Sequence, residues 1–176
     1  ISGAFGLTLD GIGNGSIASI IGTGAGTLTK NGTGTWTLSG ANTYTGATAL
    51  NAGGLTLAGA NGATTGATAY TVNAGATLTL DNSVTNNNAR INNTSALGMN
   101  GGELVVIGNA AANTTEVLGA LTLNSGQSTV TLAPNAARNT QVTFASLART
   151  AGATGLFRGT NLGNSTVASQ TAGESN

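Results

Sequence analysis

The segment LTKNGTGTWTLSGANTYTGATALNAGGLTL, Leu28–Leu57, contains the short alternating runs LTK, TWTL and LTL between clusters of glycine and asparagine. Alternation of apolar residues with threonine has the period of two that is typical of a half-buried β-strand. Glycine and asparagine favour the tight turns that end such strands. The segment therefore predicts short strands joined by compact corners, rather than a helix.

Similar triplets recur on both sides of this segment, and their spacing favours one architecture. Counted from leucine to leucine, Leu7 to Leu28, Leu55 to Leu78, Leu78 to Leu104 and Leu104 to Leu121 are 21, 23, 26 and 17 residues apart. Strands of a hairpin sandwich recur every 8–12 residues or so, whereas a chain that coils and stacks on itself has a longer period. The spacing predicts an all-β, single-stranded parallel β-helix, or β-solenoid, of roughly seven to eight rungs with about 4.8 Å between rungs.

Stacking of equivalent strands predicts which side chains meet along the axis. We expect leucines to point inward in columns and threonines to point outward in rows. By the same alternation, Trp36 is expected to face inward. Asparagine side chains at the corners can bond to one another along a ladder of turns. The run Asn86–Asn88 is interpreted as such a corner or as a protruding loop.

The chain divides into two segments by composition. Residues 1–157 contain the alternating triplets and are predicted to form the β-helix segment, with the repeat motif at 28–57. Residues 158–176 are mostly polar and are predicted to form a terminal rung or a linker to a following module.

The charged residues are few and dispersed. Five basic and five acidic side chains give a net charge of zero, and the basic residues form no positive stripe that could neutralise a row of phosphates. We therefore expect no nucleic-acid partner. Cysteine is absent, so a disulfide framework and a thiolate metal site are excluded. The longest aliphatic run, Leu104–Ile107, is far below the roughly 20 residues of a membrane helix, so we expect no direct membrane insertion of this segment.

The residues required for common catalytic centres do not converge. Histidine is absent, which excludes Ser-His-Asp and Cys-His arrangements. If Leu78 stacks on Leu104, Asp81 and Glu103 lie at opposite ends of their strands, roughly 13 Å apart, whereas glycosidase pairs need about 5–9.5 Å. Glu116 has no second acid within twelve residues. We expect no catalysis, no cofactor and no metal site.

Thr-x-Thr motifs raise the possibility of an ice-binding face. Such a face needs the same motif at the same phase on many successive rungs. Because the rungs vary from 17 to 26 residues, we expect the phase to drift and the face to be lost.

The residues of 28–57 resemble the autotransporter-associated β-strand repeat, also called the passenger-associated transport repeat. The matching pattern is Leu-Thr-Lys, a Gly-x-Gly-Thr turn, Trp-Thr-Leu, Ser-Gly-Ala-Asn-Thr-Tyr-Thr-Gly, and a closing Asn-Ala-Gly with Leu-Thr-Leu. This resemblance implies a right-handed parallel β-helix in the passenger of a bacterial surface protein. It also implies an extracellular or cell-surface location, with association to the outer membrane through another part of the parent protein.

These features lead to two hypotheses about function. The first is a structural stalk or filament module of a bacterial surface protein, which supports adhesion or end-to-end self-association without catalysis. The alternative is a module that binds carbohydrate or a host or neighbouring cell surface through exposed aromatic and asparagine-rich loops. Its expected ligand surface comprises Trp36, Tyr44, Asn86, Asn87 and Asn88. In the structural interpretation, the aromatic residues fill a local widening or cap a loop, with the Tyr44 hydroxyl toward water.

Overall fold

The computed structural model describes residues 1–135 and 138–160, and these residues contain β-strands and no helix. The strands are β1 Leu7–Leu9, β2 Gly15–Ile17, β3 Leu28–Lys30, β4 Thr35–Leu38, β5 Ala41–Asn42, β6 Thr48–Leu50, β7 Gly53–Leu57, β8 Ala63–Thr64, β9 Ala69–Asn73, β10 Ala76–Asp81, β11 Ala96–Asn100, β12 Glu103–Ile107, β13 Thr114–Leu123, β14 Gln127–Ala133, β15 Thr140–Arg149 and β16 Thr154–Gly159. Most are short and flanked by glycine or asparagine, as the sequence predicts.

The strands form parallel sheets in which each strand bonds to the equivalent strand one turn away. The first sheet has the order β1-β3-β6-β9-β11-β13-β15, and the second has the order β2-β4-β7-β10-β12-β14-β16. The third side is smaller, because β5 pairs only with β8 and Thr64 forms a single bridge with Ile91. The described chain is therefore an all-β parallel β-solenoid, which confirms the predicted fold class and excludes a sandwich of hairpins.

The expected number of rungs is too high. The described residues form a solenoid of about 4 turns, fewer than the seven to eight rungs expected. The third side consists of short segments at Ser2, Gly22, Ala41–Asn42, Ala63–Thr64 and Ile91. Farther along, β13 and β15 are each 10 residues long and run through the corner into the first sheet without a break. The spacing of the leucines counts the strands of the two large sheets. It does not show whether a third side forms, so it overestimates the number of turns.

Inward leucines form continuous columns along the axis. Leu55 pairs with Leu78 and Leu78 with Leu104, so each leucine stacks on the next as predicted. All three are fully buried, and burial of a leucine side chain contributes about 1.5–3 kcal/mol. Other members of this thin aliphatic core are Leu28, Leu38, Leu50, Leu57, Val72, Leu80, Leu97, Met99, Val106 and Leu121.

The strands stay in register although the turns differ in length. Thr56 pairs with Thr79, and the extra residues of the longer turns lie in loops such as 82–95, between β10 and β11. The expectation that the threonine phase drifts is therefore wrong, because the loops absorb the difference in length. Other residue types interrupt the threonine rows instead. In the turn after β10, Val105 stacks on Thr79 and Glu103 stacks on Thr77.

Asparagines form a hydrogen-bonded ladder at the ends of the strands of the first sheet. Asn51 Nδ2 donates to Asn31 Oδ1 at 2.8 Å, and Asn73 Nδ2 donates to Asn51 Oδ1 at 2.8 Å. Asn100 Nδ2 continues the ladder with a 2.7 Å bond to Asn73 Oδ1. Each bond joins neighbouring turns, which confirms the predicted asparagine ladder.

Gly53, the first residue of β7, lies where a side chain would not fit. Its φ is 66°, in the left-handed region that favours glycine. A Cβ atom at this position would lie 2.5 Å from the Gly34 carbonyl oxygen of the preceding turn. The stacking distance between the turns therefore depends on glycine here.

The predicted boundary at residue 157 falls within a strand, since β16 continues to Gly159. Residues 161–176 lie outside the described residues. The terminal rung or linker predicted for 158–176 therefore stays a prediction.

Candidate functional site

Trp36 lies in the inward column of the second sheet. Its register partners are Gly15 on one side and the fully buried Leu55 on the other. The indole is partly buried against the core and covers Gly15, where a Cβ atom would lie 2.8 Å from the ring. Trp36 therefore occupies the space that a glycine leaves in the preceding turn, as the alternation of TWTL predicts for an inward residue.

Tyr44 is fully buried, so the expectation that its hydroxyl faces water is wrong. The hydroxyl shares a 2.7 Å hydrogen bond with Thr48 Oγ1 inside the solenoid. Tyr70, the register partner of Thr48, forms an equivalent bond with Thr64. Burial raises the pKa of Tyr44 to about 12, and it also raises the pKa of Tyr70 well above the ordinary value. Internal threonines replace water as hydroxyl partners, and Tyr44 is not part of an exposed ligand surface.

The Asn86–Asn88 run is a corner loop that is tied to the turns on both sides. The contacts with neighbouring turns are Asn86 Nδ2 to Asn113 O at 3.0 Å, Asn87 Nδ2 to Ala60 O at 3.4 Å, and Thr115 N to Asn88 Oδ1 at 3.0 Å. Asn88 is exposed, while Asn86 and Asn87 are half-buried. The expected ligand residues therefore do not form one surface. The Asn86–Asn88 loop bonds to neighbouring corners, whereas Tyr44 and Trp36 pack against the core.

Arg90 follows this loop and is the largest of the fully buried side chains. Its Nε donates to Asn82 Oδ1 at 2.9 Å. Its two terminal nitrogens donate to the carbonyl oxygens of Gly59 at 3.0 Å, Gly62 at 2.8 Å and Thr85 at 2.8 Å. One guanidinium group therefore joins loops of two successive turns. The sequence shows Arg90 as an isolated cation, with no signal that carbonyl groups from other turns converge on it.

Glu116 of β13 is buried next to Arg90. The Arg90 backbone N–H donates to Glu116 Oε1 at 3.4 Å. Burial raises the pKa of Glu116 to about 7, although Arg90 acts in the opposite direction. Glu116 Oε2 and Asn82 Nδ2 are both buried and have no hydrogen-bond partner among the described residues. The carboxyl group is therefore poised to titrate near neutral pH.

Lys30 provides a second buried cation, at the end of β3. Its Nζ donates to the carbonyl oxygen of Gly32 at 2.8 Å, to that of Ala52 in the next turn at 3.2 Å, and to that of Asn31. Burial lowers the pKa of Lys30, and the charge of Asp10 partly opposes this shift. Like Arg90, Lys30 joins neighbouring turns through carbonyl oxygens.

Asp81 and Glu103, two further acids of the described residues, lie apart from each other. Asp81 pairs with Ile107 and Glu103 with Thr77, four positions away along the strands, as the stacking of the leucines predicts. Glu103 instead forms an ion pair with Arg158, two turns along the second sheet, at 2.8 Å. In the part of the chain that the structure describes, no three acidic or histidine side chains gather as a metal site. None of the described segments forms a helix long and apolar enough to cross a membrane.

Comparison with known proteins identifies one repeat in the chain. Residues 28–57 match the family model of the passenger-associated transport repeat, which confirms the resemblance of this segment. No curated protein and no solved structure matches the chain. The repeat and the parallel β-solenoid fit the passenger domain of an autotransporter.

Proposed function

We propose that this chain is a structural stalk module in the passenger of a bacterial surface protein, located outside the cell and without a catalytic role. The observation that carries the proposal is the way its polar groups are used. Lys30, Arg90 and the asparagine ladder all bond to neighbouring turns. Polar groups that bond from turn to turn stabilise the stacking of the solenoid. Such a solenoid is suited to hold other parts of a surface protein away from the membrane.

The distribution of the acids supports a non-catalytic role. Glu103 is paired with a cation at the surface, Asp81 lies at the other end of its strand, and Glu116 is enclosed with Arg90. A general acid and a general base must reach the same substrate, and Glu103, Asp81 and Glu116 do not share a cleft among the described residues.

The alternative of a carbohydrate-binding surface has less support. Stacking on sugars requires an exposed aromatic face, but Tyr44 is buried, and the half-buried Trp36 packs its ring over Gly15. Of the expected ligand residues, Asn88 is exposed, Trp36, Asn86 and Asn87 are half-buried, and Tyr44 is buried. Binding of a glycan by this loop stays a prediction.

The stalk proposal can be tested by surface display. The full chain is inserted between an outer-membrane anchor and an epitope tag, and intact cells are treated with a non-specific protease. We expect the epitope to be accessible to antibody and the insert to resist cleavage. The matched variants are Leu78→Asp, at a fully buried inward position, and Thr79→Asp, at the half-buried outward position beside it. Only Leu78→Asp should become protease-sensitive; cleavage of all three forms at the same rate would contradict the proposal.

A further inference from the structure

We propose that Asn92 is an acceptor site for an N-linked sugar, and that the structure around it selects it over the other acceptor motifs of the described chain. The sugar is supplied by a nucleoside-diphosphate sugar, in which the anomeric carbon is bonded to a diphosphate oxygen. The folded chain is then the substrate of a glycosyltransferase. This role is separate from the proposed stalk function and does not depend on it.

Sequences of the form Asn-x-Ser/Thr, with x other than proline, are the acceptor motif for N-linked sugars. The described residues contain five such motifs, which begin at Asn14, Asn31, Asn92, Asn93 and Asn113, and a sixth begins at Asn164, outside the described residues. A chain rich in asparagine and threonine contains some of these motifs by chance. The structural surroundings of each motif must therefore decide which of them can accept a sugar.

The Asn92–Thr94 motif lies in a turn at the end of the loop 82–95, just before β11. Thr94 donates to Asn92 Oδ1 twice, from its backbone N–H at 3.0 Å and from its Oγ1 at 2.9 Å. Because a backbone N–H can only donate, the side-chain atom that it contacts is the oxygen of the carboxamide. The two bonds place the carboxamide and the hydroxyl group of the motif side by side.

The nitrogen that would carry the sugar is open to solvent. Asn92 is half-buried, and its Nδ2 is neither hydrogen-bonded nor enclosed among the described residues. Asn93 and Thr94, the other two residues of the motif, are exposed. Thr94 therefore holds the oxygen of the carboxamide, while its nitrogen stays free to react.

The residues on both sides of the turn are anchored to neighbouring turns. Ile91 bridges to Thr64 in the preceding turn, and the Ser95 carbonyl oxygen accepts a 2.9 Å bond from Gly119 N in the following turn. Between these anchors, Ser95 N donates to the Asn92 carbonyl oxygen at 2.9 Å and closes the turn. A transferase can therefore engage the motif without breaking its contacts with other turns.

Three of the other motifs are bonded to a neighbouring turn through the carboxamide oxygen of their asparagine. Asn14 Oδ1 accepts from Thr35 N at 2.8 Å, and Asn113 Oδ1 accepts from Asn139 N at 3.2 Å. Asn31 Oδ1 is the acceptor at one end of the asparagine ladder. An enzyme that turned any of these carboxamides toward its own active site would have to break a contact between turns.

The motif that begins at Asn93 overlaps the first but lacks a free hydroxyl group. Its third residue, Ser95, is buried, and Ser95 Oγ donates to the Ala67 carbonyl oxygen of the preceding turn. Asn93 itself is exposed. Asn92 and Asn93 therefore form a matched pair, in which neighbouring asparagines differ in whether the hydroxyl group of the motif can be reached.

The transfer step is a substitution at the anomeric carbon of the sugar. Asn92 Nδ2 forms a bond to this carbon, and the bond between the carbon and the diphosphate oxygen breaks. The nucleoside diphosphate leaves with the bonding electron pair. Nδ2 passes one of its two protons to a base of the transferase, so it remains a neutral amide nitrogen that carries the sugar.

Glycosylation of the purified, folded chain tests the assignment. The full chain with Asn164→Gln, which keeps the five described motifs, is incubated with UDP-glucose and a soluble N-glycosyltransferase that accepts Asn-x-Ser/Thr. Peptide mass spectrometry then locates the glucose. We expect transfer to Asn92 to be about tenfold faster than transfer to any other motif, because those motifs must first break a hydrogen bond. Synthetic peptides of the five motifs, which lack this constraint, should differ less from one another.

Variants separate the motif from its surroundings. Asn92→Gln and Thr94→Ala should abolish transfer at this position, and Thr94→Ser, which keeps a hydroxyl group, should retain it. Asn93→Gln is the matched control and should leave transfer to Asn92 unchanged. Circular dichroism should show the same β-structure in all four variants, because these residues lie in a turn at the surface.

Three results would overturn the inference. The first is a folded chain that receives no glucose at Asn92. The second is transfer to one of the other described motifs as fast as to Asn92. The third is the same preference for Asn92 among the synthetic peptides as in the folded chain, which would assign the selection to the sequence of the motif. Protease resistance on the cell surface, which tests the stalk function, is independent of all three.

Discussion

Replacing Arg90 with methionine tests whether loops of successive turns depend on one buried cation. The guanidinium group supplies hydrogen bonds to three carbonyl oxygens and to the side chain of Asn82, whereas the contact with the Glu116 carboxyl group is made by the Arg90 backbone N–H. Methionine keeps much of the volume but donates no hydrogen bond. The substitution therefore leaves these acceptors buried without their donors while disturbing the packing little.

The expected loss follows from the number of acceptors. Each buried acceptor that loses its donor lowers the free energy of unfolding by about 1–3 kcal/mol. Water that enters a site with several such acceptors offsets part of this loss. Because three carbonyl oxygens and the Asn82 side chain lose their donor together, we expect Arg90→Met to lower the free energy of unfolding by about 3 kcal/mol or more.

Urea unfolding at neutral pH, followed by circular dichroism, measures this change. Arg138→Met is the matched control, because Arg138 is exposed, and a surface substitution of this kind changes stability by about 0.5 kcal/mol or less. A loss for Arg90→Met that exceeds the control by less than about 1 kcal/mol would refute the conclusion that Arg90 joins the turns.

Three further predictions concern other buried or corner residues. Burial raises the pKa of Glu116 from 4.5 to about 7, so the stability that its protonated form contributes is fully present below pH 4.5 and is lost as the pH rises through 7. Urea titrations at several pH values should show the wild-type free energy of unfolding falling over this range by up to about 3 kcal/mol relative to Glu116→Gln. Asn73→Ala breaks the ladder on both sides and should cost about 1–3 kcal/mol in thermal or urea unfolding, whereas an unchanged midpoint would show that water replaces the ladder. Gly53→Ala should destabilise the chain by about 1–3 kcal/mol or more, because of its positive φ and the nearby Gly34 carbonyl oxygen; Gly75→Ala, which also has a positive φ but open space around it, should cost less in the same assay.

The sheets could be predicted from sequence because their signal is local and repeated. Leu55, Leu78 and Leu104 stand in triplets with the same pattern, and stacking such triplets buries every leucine at once. The number of complete turns could not be predicted in this way. It depends on the third side, where Ala41–Asn42 and Ala63–Thr64 are too short to carry a period, and on long strands such as β13 that run through the corner.

The buried polar groups were harder to predict than the core, because their partners come from other turns. Tyr44 has the same sequence surroundings whether its hydroxyl meets water or Thr48. The acid nearest to Arg90 in the sequence is Asp81, nine residues before it, so nothing local indicates burial. Its partners Gly59 and Gly62 lie about thirty positions earlier and become neighbours only when the turns stack. Regular residues are thus predictable from the repeat, whereas those that join the turns depend on the assembled loops.

The in-register stacking of the turns can be measured most directly by an intramolecular disulfide. In the double variant Thr56→Cys and Thr79→Cys, the two residues are register partners in β7 and β10, so their Cα atoms should lie about 4.8 Å apart. This pair should close readily in dilute monomer, while Thr56→Cys with Val105→Cys, two turns apart at about 9.6 Å, should stay reduced. Failure of the first pair to close, or equal closure of both pairs, would contradict the parallel solenoid on which the proposed function depends.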